Sequence, residues 1–443
     1  MWRRLGSAAI AKVVVVGLSG LLGIVTSRMI LTNYGIDAYA QYGLLASLPA
    51  LVPFADLGIA AVVLNTVAAS DDPRHDEKVR RTLTTAFRIL LVSGPAILLL
   101  GLLVTLLDGW PVLLGNGMSA GSSPVVLTCV VVFGLALPLA VGQRILVATG
   151  RTGLGVAISG VVAPFIFLSV LLLVLLDVPA GRWLAVLSYL GAAMVSAISI
   201  LVASRLLRPQ VRRALRDVPR IRRVKGVPVI AVAGPMLVQM VVLPIATQTD
   251  RLLLSHLTVG TELAEYNLAS QLFGIAMQTV SAAGVALWPV FARARAVGTV
   301  RSPERLVLIF GVVGAGLSGV VAVLSPVLVS FVSDGQLQLS PLLVVAFAAT
   351  VTVSAVKYPL GMYMTDEKGL RFQVLPVLLL LPLQVSLSWT LIGIVGPAGP
   401  VMAGATSGFV CQVLPYAWYV RRDLRVRAAA AACRDPRSTF SPR

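Results

Sequence analysis

The chain has 443 residues, of which 57% are hydrophobic and only 12% charged, with a mean hydropathy of +0.92. Soluble domains carry about 25% charged residues, so this composition excludes a soluble globular protein. The net charge of +18 invites nucleic acid as a partner, but the basic residues sit in short loops between apolar runs, which assigns them to membrane topology instead.

The apolar runs reach about 18 residues or more, enough to cross ~30 Å of hydrocarbon as helices. They do not alternate apolar and polar residues as barrel strands do. The predicted fold class is therefore an all-α polytopic membrane protein. Its first run, in MWRRLGSAAIAKVVVVGLSGLLGIV, is longer than a signal-peptide core and shows no clear cleavage site before Arg28, so it reads as an uncleaved first span. In chain order the predicted spans are 8–32, 41–67, 83–107, 123–147, 154–176, 183–204, 227–256, 263–290, 306–332, 341–364, 372–395 and 400–420.

With the N-terminus inside, the inner segments hold most of the positive charge, from Arg3 and Arg4 through Arg74, Lys78, Arg80, Arg81, Arg293 and Arg295 to the tail beyond Arg421. The outer segments hold only Arg28, Arg182 and Arg251, each close to a span end. The positive-inside rule then predicts a multi-pass membrane protein with two cytoplasmic termini. The most basic segment, SRLLRPQVRRALRDVPRIRRVKG at 204–226, has nine Lys or Arg and one acid, Asp217. It is expected to lie against anionic headgroups; a docking site for a cytoplasmic partner is the alternative. The predicted organisation is an N-terminal six-helix bundle (1–204), a basic cytoplasmic linker (205–226), a C-terminal six-helix bundle (227–420) and a basic cytoplasmic tail (421–443).

The two bundles echo one another. RMILTNYGIDAYAQYGLLASL (28–48) follows the first span and RLLLSHLTVGTELAEYNLASQL (251–272) the seventh, matching Arg28 with Arg251, Gly35 with Gly260 and Tyr42 with Tyr266. LVATGRTGLG (146–155) and YMTDEKGLRF (363–372) pair after spans four and ten. Echoes at the same ordinal place and on the same side predict a parallel repeat, a pseudo-two-fold axis along the membrane normal.

Little in the chain supports enzymatic chemistry. There is no H-E-x-x-H and no Walker motif, no loop has room for a soluble catalytic domain, and Cys129, Cys411 and Cys433 are expected as free thiols. What remains is a set of polar residues in or beside spans: Lys12, Arg28, Asp56, Asn65, Arg144, Gln239, Gln248, Asp250, Arg251, Gln271, Gln278 and Lys357. A central Arg, Lys or Asp costs ~2.5–3.5 kcal/mol on insertion, so such residues usually face a bundle interior or a wet cavity. The cations Arg28, Arg251, Lys12, Arg144 and Lys357 are candidates for binding phosphate. The bland alternative for Arg144 and Lys357 is snorkelling at the inner ends of their spans. Asp56 and Asp250 are candidates for ion coupling, by exchanging a proton or holding Na+. No other cofactor is expected.

The segment SRMILTNYGIDAYAQYGLLASLPALVPFADLGIAAVVLN (27–65) resembles the first two spans of bacterial polysaccharide flippases, oligosaccharide-lipid exporters of the same superfamily as multidrug and toxin extruders. The resemblance rests on Arg28, on Gly35 and Tyr39 in a G-x-x-x-Y element, on Tyr42 in YGLL and on the D-L-G at 56–58. The pattern recurs as DRLLLSHLTVGTELAEYNLASQL from Asp250. It implies a carrier that moves a polyprenyl-(pyro)phosphate-linked oligosaccharide from the inner to the outer leaflet by alternating access, coupled to an ion or to the membrane potential. Its implied partners are that lipid-linked oligosaccharide, membrane lipids and other polysaccharide-assembly proteins. In such a cavity Arg28 and Arg251 are expected to converge on the cargo's phosphates, with Asp250 restraining Arg251 or forming part of an ion site. Two alternatives stand beside it. One is a multidrug or small-molecule secondary transporter, although the loop SDDPRHDEKVRR departs from the D-R-x-G-R-[RK] of major-facilitator carriers. The other is a glycan polymerase or ligase, which would need a large outer loop that the chain lacks.

Overall fold

A computed structural model describes residues 2–51, 59–119, 121–220, 229–285, 287, 290–291, 294–295 and 302–432. These residues are almost entirely helical and include no strand. In the first half, α1 (Trp2–Tyr34) is followed by α2 (Ile36–Leu51) and α3 (Ile59–Ala68), α4 (Glu77–Leu106) and the short α5 (Trp110–Leu114). Then come α6 (Ser123–Ala136), α7 (Val141–Ala148), α8 (Thr152–Ser159), α9 (Val162–Leu175), α10 (Leu184–Leu206) and α11 (Gln210–Asp217). The second half holds α12 (Val229–Leu257), α13 (Gly260–Val285), α14 (Glu304–Ser333), α15 (Pro341–Tyr363), α16 (Glu367–Val395), α17 (Ala398–Gly408) and α18 (Leu414–Ala432).

Taken as successive crossings, these elements give two six-helix halves that begin and end on the same face, here called the terminal face; the opposite one is the far face. Nine helical stretches among the described residues are long and apolar enough to cross a membrane. Their outward sides carry large apolar residues with no protein cover, such as Leu99, Leu172, Val323 and Ile394, as a lipid-facing surface requires.

Several crossings are broken where the sequence suggested continuous spans. Pro138 lacks a backbone donor, and the fourth crossing passes through a 3-10 turn at Leu137–Ala140 between α6 and α7. The fifth is split into α8 and α9 around Gly160, whose missing side chain leaves room for Val15 of α1. The twelfth runs through a π-helical segment, Phe409–Val413.

The basic linker contains α11, a helix the span pattern did not foreshadow. Its Val211, Ala214 and Asp217 are buried while Arg212, Arg213 and Arg216 are exposed. Arg80 of α4 reaches Asp217 at 3.0 Å, and Arg88 donates to the Asp217 and Val218 carbonyl oxygens. The helix thus lies across the start of α4 with a cationic stripe outward.

Packing is asymmetric between the two faces. Towards the far face one core runs through both halves, joining Ile30, Leu31, Leu44 and Leu45 to Leu254, Leu263, Leu268 and Phe273. Towards the terminal face the described buried residues form separate cores. One is built on Leu83, Phe87, Ile145 and Leu207, the other on Leu360, Tyr363, Tyr416 and Val420.

Candidate functional site

The seam between the halves is formed by α1 and α2 on one side and α12 and α13 on the other. Gly43 lets these surfaces meet: a Cβ there would stand 2.2–2.8 Å from the Asn267 side chain. Gly35 closes the α1–α2 turn at φ +87°, a conformation that disfavours residues with a Cβ. Its sequence partner Gly260 does not share that dihedral, so the echo reflects matching hairpins rather than matching turn geometry.

A cavity of about 500 Å³ opens on this seam, and its polar lining includes Ser27, Tyr39, Tyr42, Arg251, Asn267 and Gln271. Hydrogen bonds across the seam fix several of these. The Gln271 carboxamide oxygen accepts from Ser27 Oγ at 2.7 Å and from the Tyr39 hydroxyl at 3.2 Å, while Asn267 Nδ2 donates to the Ala40 carbonyl at 3.4 Å.

Arg251 projects from the last turns of α12, and each guanidinium nitrogen has a neutral acceptor. Nε donates to Asn267 Oδ1 at 2.9 Å, Nη1 to Gln248 Oε1 at 3.1 Å and Nη2 to Ser270 Oγ at 3.2 Å. The ring of Tyr266 lies 5.8 Å from its central carbon. No carboxylate is among the lining residues and none pairs with Arg251, although buried Asp250 acts on its charge from outside the cavity. A fixed cation whose hydrogen-bond partners are all neutral hydroxyls and amides is chemistry for an anion.

Arg28 does not join it. Its guanidinium pairs with Asp334 at 2.9 Å and covers the ring of Phe331 at 4.3 Å, fastening α1 to α14 at the far face. Successive residues on a helix point about 100° apart, so Ser27 turns into the cavity and Arg28 turns away from it. The expected convergence of the two arginines is therefore not what the structure places there.

The same rotation separates Asp250 from Arg251. Asp250 is 7% exposed and packs into the second half, where Gln384 Nε2 donates to its Oδ1 at 3.2 Å and to the Ala246 carbonyl at 3.0 Å. The Tyr266 side chain lies beside the same carboxylate. Asp250 and Arg251 form no ion pair, which corrects the expected tether between them. One turn beyond Gln384, the buried Ser388 hydroxyl has no partner among the described residues.

The remaining candidates lie elsewhere. Arg144 is exposed on α7, and Lys357 is half-buried on α15, less than two turns from its end at Tyr363; neither lines the cavity. Asn65 and Gln278 are exposed. Asp56 and the side chains of Lys12 and Gln239 lie outside the described residues. Conversely, Asn267, Ser27 and Gln384 were not singled out from sequence, and Tyr39 entered only through the G-x-x-x-Y element. The N-L-A-S-Q run at 267–271 did carry a signal, because its Asn, Ser and Gln share one helix face.

The polysaccharide biosynthesis protein family matches residues 2–295. No curated protein matches the chain by sequence. Among solved structures, the lipid II flippase MurJ in an inward closed conformation is similar with a TM-score of 0.69 at 13% identity, over 93% of this chain and 87% of that one. A multidrug resistance MATE family transporter of the MOP superfamily, in an inward-facing conformation, gives 0.65 at 14% identity, over 95% and 99%. The MATE multidrug transporter DinF-BH in complex with R6G gives 0.57 at 13% identity, over 95% of each chain. At these identities the likeness is one of fold.

Proposed function

Since the chain belongs to the polysaccharide biosynthesis protein family, we propose that it carries a polyprenyl-(pyro)phosphate-linked oligosaccharide from the inner to the outer leaflet of a bacterial plasma membrane. The observation that carries this reading is the seam cavity with Arg251 held in it and no acid in its lining. A diphosphate cannot enter hydrocarbon unaided, whereas its polyprenyl tail can stay in lipid while the headgroup passes between the halves. Arg251 would hold the phosphates through its planar fork of donors. The halves would then expose the cavity to one side and to the other in turn. Asp250 is the coupling group in this scheme, exchanging a proton or a sodium ion as the halves rock.

Purified protein in vesicles tests the reading directly. Vesicles loaded with lipid-linked oligosaccharide from the producing cells should lose inner-leaflet glycan to an impermeant outer reagent faster than protein-free vesicles. Equal rates would sink it.

The orientation rests on charge. The terminal face bears the Arg-rich linker and tail, and placing it in the cytoplasm satisfies the positive-inside rule. Leu215 on α11 is exposed, so a cysteine there should resist an impermeant thiol reagent in intact cells and react after permeabilisation. Labelling in intact cells would reverse the orientation.

A further inference from the structure

A second cavity, of about 680 Å³, lies on the far face of the first half, and Asn33, Tyr34, Asp37, Asp177, Arg182 and Trp183 are among its lining. It shares no residue with the seam cavity, and its volume falls within the ~300–1,000 Å³ of small-ligand sites.

Its walls are fixed by buried Gln41 behind them and by Tyr34 in the lining itself. Gln41 is 1% exposed and ties three segments together: it donates to the Arg182 carbonyl at 3.3 Å and accepts from Ser119 N at 3.2 Å and Ser122 Oγ at 3.3 Å. The Tyr34 hydroxyl adds a bond to the Val178 carbonyl at 3.2 Å. Yet the three charged side chains at the pocket, Asp37, Asp177 and Arg182, form no hydrogen bond or ion pair among the described residues. Trp183 is 47% exposed beside them.

The mixture of charge selects the ligand. Two carboxylates repel a phosphate, and a guanidinium in the same lining opposes a metal cation. A neutral polyhydroxyl ligand suits both signs, because carboxylates accept from pairs of hydroxyls while the guanidinium donates to ring and hydroxyl oxygens. The exposed Trp183 and half-buried Tyr34 rings supply flat apolar faces for the C–H side of a sugar ring. The pocket also abuts the seam, since a Cβ at Gly260 of α13 would stand 2.9 Å from Asp37 Oδ1.

We propose that this pocket binds the neutral sugar portion of the cargo on the outer side, separately from the phosphate site on the seam. The assignment rests on the orientation and cargo given under the proposed function. It divides the cargo chemically, with the anionic headgroup at Arg251 and the glycan as it emerges at Asp37, Asp177, Arg182 and Trp183.

The test uses full-length protein in lipid nanodiscs and, as probe, the oligosaccharide released by mild acid from the lipid-linked pool of the producing cells. Saturation-transfer NMR should detect binding to the wild-type protein. Trp183→Ala and the double variant Asp37→Asn with Asp177→Asn should each weaken it by roughly tenfold or more, the change that ~1.4 kcal/mol produces. Asp177 sits at φ +49°, which Asn tolerates, so the double variant keeps the backbone. No binding to the wild type would overturn the proposal. So would wild-type affinity in Trp183→Ala, which would leave that residue as an interfacial anchor only. Binding abolished by a chelator would overturn it too, because a metal would then bridge the contact. Vesicle assays separate this from the transport reading: flipping without binding of the released glycan sinks the pocket alone, and binding without flipping sinks the cargo cycle alone.

Discussion

Arg251→Ala should bind lipid-linked phosphate roughly ten- to a hundredfold more weakly than wild type and lose transport to match, at unchanged membrane levels. The estimate follows from the loss of a charge-assisted contact, ~1.5–3 kcal/mol, with each 1.4 kcal/mol giving about a factor of ten. Arg251→Lys should fall between. It keeps the charge, but an ammonium cannot replace the planar fork that addresses Asn267, Gln248 and Ser270 along three directions. Arg28→Ala is the informative contrast. Its guanidinium is spent on Asp334 at the surface, with side chains 36% and 48% exposed, and such pairs contribute about 0–1 kcal/mol. Substrate affinity in Arg28→Ala should therefore stay near wild type. Equal losses in both variants, measured by binding of the lipid-linked oligosaccharide in nanodiscs, would overturn the assignment of phosphate to the seam cavity.

Asp250→Asn should cripple transport driven by an ion gradient while leaving downhill exchange of cargo intact. Asp250 is buried and accepts from Gln384, and although the charge of Arg251 acts on it, no cation pairs with it among the described residues. A charge removed from water needs compensation, here from a proton or a metal ion. Asparagine keeps an oxygen for the Gln384 bond and has almost the same shape, so folding should survive while the exchangeable charge disappears. Gradient-driven transport at least tenfold below wild type, with normal exchange, is the expected pattern. Full gradient-driven transport in the asparagine variant would remove Asp250 from the coupling.

The number and order of crossings were legible in the sequence because they depend on local quantities, the length of apolar runs and the sign of the loops between them. The repeat was legible for the same reason: the hairpins after α1 and after α12 keep the order of Arg28, Gly35 and Tyr42 and of Arg251, Gly260 and Tyr266, with spacings that differ by one or two residues. Rotation was not legible. Whether Arg28 or Ser27 faces the seam depends on which neighbour packs on each side of α1, and that neighbour, α14, is some 300 residues away in the chain. Adjacent polar residues such as Asp250 and Arg251 invite an account in which they interact, yet the helix sends them to different surroundings, one into the second half and one into the seam. The buried partners Gln384 and Asn267 were hidden for a related reason. An uncharged amide in an apolar run costs little hydropathy and so stands out weakly until its neighbours in space are known.

The core shared by both halves sets how temperature acts on the cycle. In hydrocarbon, helices gain nothing from hiding leucine, because lipid tails are equally apolar. Leu99 and Val323 therefore exert no pull on their surroundings. Ile30, Leu45, Leu254 and Leu268 differ, because parting the far-face ends would set them against a wet vestibule rather than against lipid. Aversion to water thus acts at this one seam although the rest of the bundle is immersed in oil. Such aversion fades on cooling, so in the cold the seam should loosen while every helix remains intact.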